Sequence, residues 1–64
     1  NSIKIQRAIK DITQEELANR VGVSRQTINS IENNRYIPST VLALKISIVF
    51  DKSVNEIFEL EEDD

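Results

Sequence analysis

Gly22 is the only glycine in a chain of 64 residues, and it lies within the run TQEELANRVGVSRQTINSIENNRYIPS at 13–39. Before it, Leu17, Ala18 and Val21 recur at helical spacing; after it, Ile28 and Ile31 do the same. Ser24 is a favoured helix N-cap residue and follows almost at once. The sequence therefore predicts two short helices, about 14–21 and 25–32, joined by a three-residue turn. A chain leaving a helix and turning this tightly needs a residue that tolerates the left-handed conformation, which glycine supplies without a Cβ penalty. Ala18 is small where the two helices cross, and Val23 and Ile28 fill the space between them.

The rest of the chain is punctuated in the same way. Thr13 with Glu16, and Ser53 with Glu56, have the spacing of capping boxes, in which the hydroxyl takes an orphan N–H and the carboxylate reaches back. Ser39, after the turn at Pro38, caps a helix over about 40–50, and the second capping box starts a short last helix through Ile57 and Phe58. A first helix over 3–10 is expected to turn Ile5, Ala8 and Ile9 inward and to exit through Asp11. Asn33 and Asn34 are placed to stop the third helix, since Asn visits the left-handed region more readily than most residues. Phe58 to Glu61 alternates as a strand does, but four residues make a frayed end the better expectation. The fold class is all-α: five short helices in one domain over 1–60, followed by an acidic tail at 61–64 expected to be disordered.

A chain this short has a thin stability margin. It has no Cys and no His, which excludes disulfides and argues against a structural zinc. Support must come from helix packing or from a partner subunit. The same absences remove imidazole bases and thiolate nucleophiles, so no enzyme is expected. No cofactor motif and no room for a small-molecule pocket appear. No apolar run approaches the ~18 residues of a membrane span. Residues 1–10 lack the apolar core of a signal peptide, and a chain that opens on Asn1 without Met is expected to have lost its initiator. A soluble, cytoplasmic protein is the expectation.

The net charge of −3 is unevenly spread. Residues 1–45 hold seven basic and four acidic side chains, whereas 46–64 hold Lys52 against seven acids. The body is basic and the C-terminal end acidic.

Two helices about a three-residue turn are the geometry of helix-turn-helix, which leaves the front of the second helix projecting. That front carries Arg25, Gln26, Asn29 and Ser30 rather than the usual Lys and Glu. Arg forks to guanine O6 and N7, and Gln or Asn to adenine N6 and N7. Arg25 and Gln26 lie at the end of the helix that meets base edges in this motif. The alternative for the same side chains is a plain solvated face.

The run 13–39, with LALKI at 42–46 and VNEIF at 54–58, resembles the phage repressor/Cro-like, XRE-type helix-turn-helix regulators over about residues 3–58. The resemblance implies a compact five-helix domain of the lambda-repressor-like type that binds double-stranded operator DNA as a homodimer. By position it implies base readout by Arg25, Gln26, Thr27, Asn29 and Ser30, and phosphate contacts by Gln14, Ser24, Asn33, Arg35 and Tyr36. It also implies an ion pair of Arg7 with Glu32 that ties the first helix to the third. Asp11, Asn34 and Asp51 stand where relatives usually have Gly, and all three tolerate positive φ.

The fourth helix departs from that family. Val41, Leu44 and Ile48 form a second apolar stripe beside Leu42, Ala43, Ile46, Val49 and Phe50. A helix apolar on two faces is buried on two faces. The stripe, with Phe58 and Leu60, is the expected dimer interface; the alternative is packing beneath the C-terminal tail. The function these features point to is a sequence-specific transcriptional regulator of prokaryotic or phage type, in particular a repressor on a pseudo-palindromic operator. The alternative is a protein-interaction module, such as an antitoxin or anti-repressor, built on the same fold.

Overall fold

A computed structural model of the chain describes residues 1–60; the acidic stretch 61–64 lies outside the described residues. Five helices follow in order: α1 (Ile3–Lys10), α2 (Gln14–Val21), α3 (Arg25–Glu32), α4 (Thr40–Phe50) and α5 (Val54–Ile57). No strand occurs among the described residues, and Phe58 ends α5 as an extended C-cap rather than continuing it. None of these helices is long and apolar enough to cross a membrane.

Each helix start has a local chemical cause. Thr13 Oγ1 accepts from the Glu16 N–H at 3.0 Å while Glu16 Oε1 accepts from the Thr13 N–H at 3.3 Å, a closed capping box. Ser53 and Glu56 repeat it at 3.2 and 3.0 Å. The bonds from Ser53 to its carboxylate hold Glu56 below its ordinary pKa. Ser24 and Ser39 cap α3 and α4 through hydroxyls that accept from Thr27 and Leu42 N–H groups.

The helix exits are equally local. Asp11, Gly22, Asn34 and Asp51 all adopt positive φ, between 52° and 78°. A Cβ on Gly22 would meet no atom within 4 Å, so the need for glycine there comes from its φ of 78° and not from crowding.

α2 packs on α3 and on α4, with α1 and α5 closing the ends of α4. Ile3, Leu17, Ile28, Ile31, Ile46, Phe50 and Ile57 are the large fully buried side chains, drawn from all five helices. Val23 and Phe58 pack half-buried against this core.

One sequence expectation fails. Ile5 is 62% exposed, Ile9 is 70% exposed, and Ala8 lies with them on the outside. The apolar residues 5, 8, 9 and 12 match a helical face on spacing alone. The helix stops at Lys10, however, and Asp11 in the left-handed region turns Ile12 away from that face and into the core. The inward side of α1 is then Ile3 with the half-buried stem of Arg7. The N-terminal residues, which sequence reasoning passed over, hold α1 in this rotation. Asn1 donates to the Ile31 carbonyl at 2.7 Å and accepts from the Ile3 N–H at 3.2 Å. The Ser2 N–H donates to the Ile57 carbonyl at 2.9 Å.

This rotation predicts opposite costs for neighbouring isoleucines. Ile3→Ala should lower stability by roughly 2–5 kcal/mol, and Ile5→Ala or Ile9→Ala by no more than about 0.5 kcal/mol, measured by urea unfolding. The reverse ranking would place the 5-8-9 face inside.

Candidate nucleic-acid interface

The outward side of α3 is a product of how α2 and α3 are joined. Ile28 and Ile31 are buried, which leaves Arg25, Gln26 and Asn29 exposed and Thr27 and Ser30 half-exposed on the opposite side. The Ser24 and Thr27 hydroxyls are 2.9 Å apart, so both are partly engaged with each other at the helix start. The first N–H groups of α3 have no partner within the helix and face outward with the positive end of its dipole.

An open, polar groove runs along this surface, lined by Ser24, Gln26, Thr27, Ser30, Arg35 and Tyr36. The structure therefore brings Arg35 and Tyr36, beyond α3, alongside its outward face. Tyr36 is 49% exposed and Ile37, beside it, 83% exposed.

Asn33 takes a different position. It is the C-cap of α3, and its side-chain nitrogen turns back to the Asn29 carbonyl at 2.9 Å. Gln14, at the first position of α2, also turns inward. Its amide nitrogen donates to Asn29 Oδ1 at 3.2 Å and to Glu32 Oε1 at 3.1 Å, while its oxygen faces Arg25 Nη1 at 3.5 Å. No sequence signal announces these links between amides, because they depend on the angle at which α2 crosses α3.

Beneath the surface lies the ion pair. Arg7 Nε donates to Glu32 Oε2 at 2.6 Å and Nη2 to Oε1 at 3.1 Å, a two-pronged contact. Arg7 Nη1 also donates to the Ile12 carbonyl at 3.2 Å. The side chains are 15% and 6% exposed. The hydrogen bonds to Glu32 raise the Arg7 pKa above its ordinary value, so its charge is permanent.

The family model for Helix-turn-helix matches residues 3–57 of the chain. An uncharacterized HTH-type transcriptional regulator of Methanocaldococcus jannaschii is 47% identical over 64 residues, covering 100% of this chain and 97% of that protein. One from Bacillus subtilis is 44% identical over 63 residues, covering 98% of this chain and 96% of its own. The ImmF control region 10 kDa protein of Bacillus phage phi105 is 40% identical over 53 residues, which is 83% of this chain and 59% of that one.

Removing one member of the ion pair strands a nearly buried charge. Arg7→Ala should cost roughly 3 kcal/mol in urea unfolding, whereas Arg7→Met combined with Glu32→Leu should recover most of that loss. Equal costs for the single and double variants would mean that the pair acts through packing alone.

Proposed function

The chain belongs to the XRE-type helix-turn-helix family, and on that premise we propose that it is a sequence-specific DNA-binding transcriptional regulator, acting as a repressor on a pseudo-palindromic operator. One observation carries the reading. An exposed α3 face of Arg, Gln and Asn, with half-exposed Thr and Ser, stands over a buried isoleucine pair and continues into a polar groove with Arg35 and Tyr36. Arg25 and Gln26 read base edges, with Thr27, Asn29 and Ser30 beside them. Ser24, Arg35, Tyr36 and the N-terminus of α2 at Gln14 hold phosphates, which fix register without carrying sequence information. The cytoplasm is its place of action.

The homodimer rests on α4. Val41, Leu44 and Ile48 are 62%, 50% and 77% exposed along one side of a helix whose other side is core. Leu60 is exposed nearby in sequence, whereas Phe58 is half-committed to its own core. A two-fold axis through this stripe covers it with its own copy. Binding successive major grooves requires of that dimer two α3 helices one turn of DNA apart, ~34–36 Å. The same stripe supports the second reading, an antitoxin- or anti-repressor-like module that holds another protein there.

Selection of bound duplexes from a random pool at physiological salt separates the two readings. A two-fold motif should be enriched by the wild type and lost by Arg25→Ala with Gln26→Ala. Two forks of roughly 1–3 kcal/mol each make that loss at least about tenfold in affinity. A dimer whose Lys and Arg side chains neutralise about six phosphates should also bind on the order of a thousandfold more weakly at 200 mM than at 50 mM salt. Enrichment of nothing would transfer the function to the protein-binding reading.

Ile48→Glu should convert a dimer to a monomer at micromolar concentration in sedimentation equilibrium while the helical content stays unchanged. A monomeric wild type, or a variant that stays dimeric, would remove α4 from the interface.

A further inference from the structure

The side-chain amides on the DNA-facing side form a chain whose direction is set from inside the protein. Glu32, doubly bonded to the Arg7 guanidinium, is a carboxylate and can only accept. The Gln14 amide lies 3.1 Å from its Oε1, so the group placed there must be an N–H. The second hydrogen of that nitrogen goes to Asn29 Oδ1 at 3.2 Å. A second constraint arrives from the other side. The Asn29 backbone carbonyl, also acceptor-only, fixes the Asn33 nitrogen at 2.9 Å, and that nitrogen lies 3.3 Å from the same Asn29 Oδ1. Two donors therefore fill the two lone pairs of Asn29 Oδ1. What Asn29 has left to offer is Nδ2, on an exposed residue of the α3 face.

We infer that Asn29 is a donor-only contact, which takes a hydrogen-bond acceptor of DNA and is barred from the adenine fork. That fork needs an oxygen to accept from N6 while a nitrogen donates to N7. Guanine offers two acceptors side by side, adenine offers N7 alone, thymine offers O4, and phosphate offers its oxygens. Gln14 is the positioning residue. Its donors are spent on Asn29 and Glu32, and its oxygen is turned toward Arg25. The side chain thus presents no donor to phosphate, which leaves the backbone N–H groups at the α2 start for that contact. The inference rests on the DNA-binding reading above and adds the chemical class that one side chain recognises.

The test runs the duplex selection with wild type, Asn29→Ala and Gln14→Met. Gln14 is half-exposed at a helix start, so Met there removes the donor without opening the core. If Asn29 meets a base, Asn29→Ala relaxes one base pair per half-site by about tenfold, and Gln14→Met, with one lone pair of Oδ1 released, lets the adenine fork form at that pair. Where the pair is A·T, replacing its adenine with purine, which lacks the 6-amino group, leaves the wild-type preference at that pair unchanged, because the contact is to thymine O4 or adenine N7. If Asn29 meets phosphate, Asn29→Ala leaves the motif intact and weakens binding about equally for every sequence, with the salt slope unchanged because the amide carries no charge. A wild-type preference that loss of the adenine 6-amino group abolishes and Asn29→Ala removes would overturn the inference, since it would be the adenine fork. So would an Asn29→Ala variant that changes neither motif nor affinity. A pool in which no variant and no wild type enriches anything would instead sink the DNA-binding reading itself.

Discussion

The Arg7–Glu32 pair is the contact on which the arrangement of the other parts depends. Arg7 comes from α1 and also holds the Ile12 carbonyl just beyond it, while Glu32 is the last residue of α3 and takes the Gln14 amide from the start of α2. One nearly buried charge pair thus joins three helices and the loop between two of them. Its worth is in placement more than in net stability, because withdrawing two charges from water offsets most of what their attraction returns. In a chain with no disulfide and no core to spare, a directional contact decides which way α1 is rotated when hydrophobic spacing would allow another answer.

Much of the fold was legible because its signals are short-range. Capping boxes, serine N-caps and residues able to take positive φ act within about one turn of helix, so spacing along the chain is sufficient to read them. The bounds of α2, α3 and α4 follow from those signals, and helical spacing separates Leu42, Ile46 and Phe50 from Val41, Leu44 and Ile48. α1 was misread for the complementary reason. Its spacing supports two faces, and the choice is made by Asn1, Ser2, Arg7 and Ile12 through partners 30 or more residues away in two cases and across to Glu32 in a third.

The same distinction runs through the candidate site. Residue types on α3 can be read from sequence, because burial of Ile28 and Ile31 determines which side chains point out. The direction of each amide cannot, because it is inherited through Gln14 from a carboxylate whose own partner sits on α1. An asparagine is symmetric in sequence and becomes a donor or an acceptor only in context.

That context couples architecture to recognition in a specific way. Outward-facing amides on an isolated helix are free to turn, and each can serve either hydrogen-bond sense. Here Gln14 is anchored by a carboxylate that only accepts, and Asn29 Oδ1 is held in turn by two N–H donors, so their outer ends are committed before any ligand arrives. Preorganisation of this kind lowers the ordering cost of binding, since fewer rotamers remain to be fixed at the interface. It also narrows what can be bound, because a mismatched base edge meets a group that cannot reverse without breaking two internal bonds. A buried pair that contributes little to net stability then has a second reason to persist: it sets the polarity of a surface it does not touch.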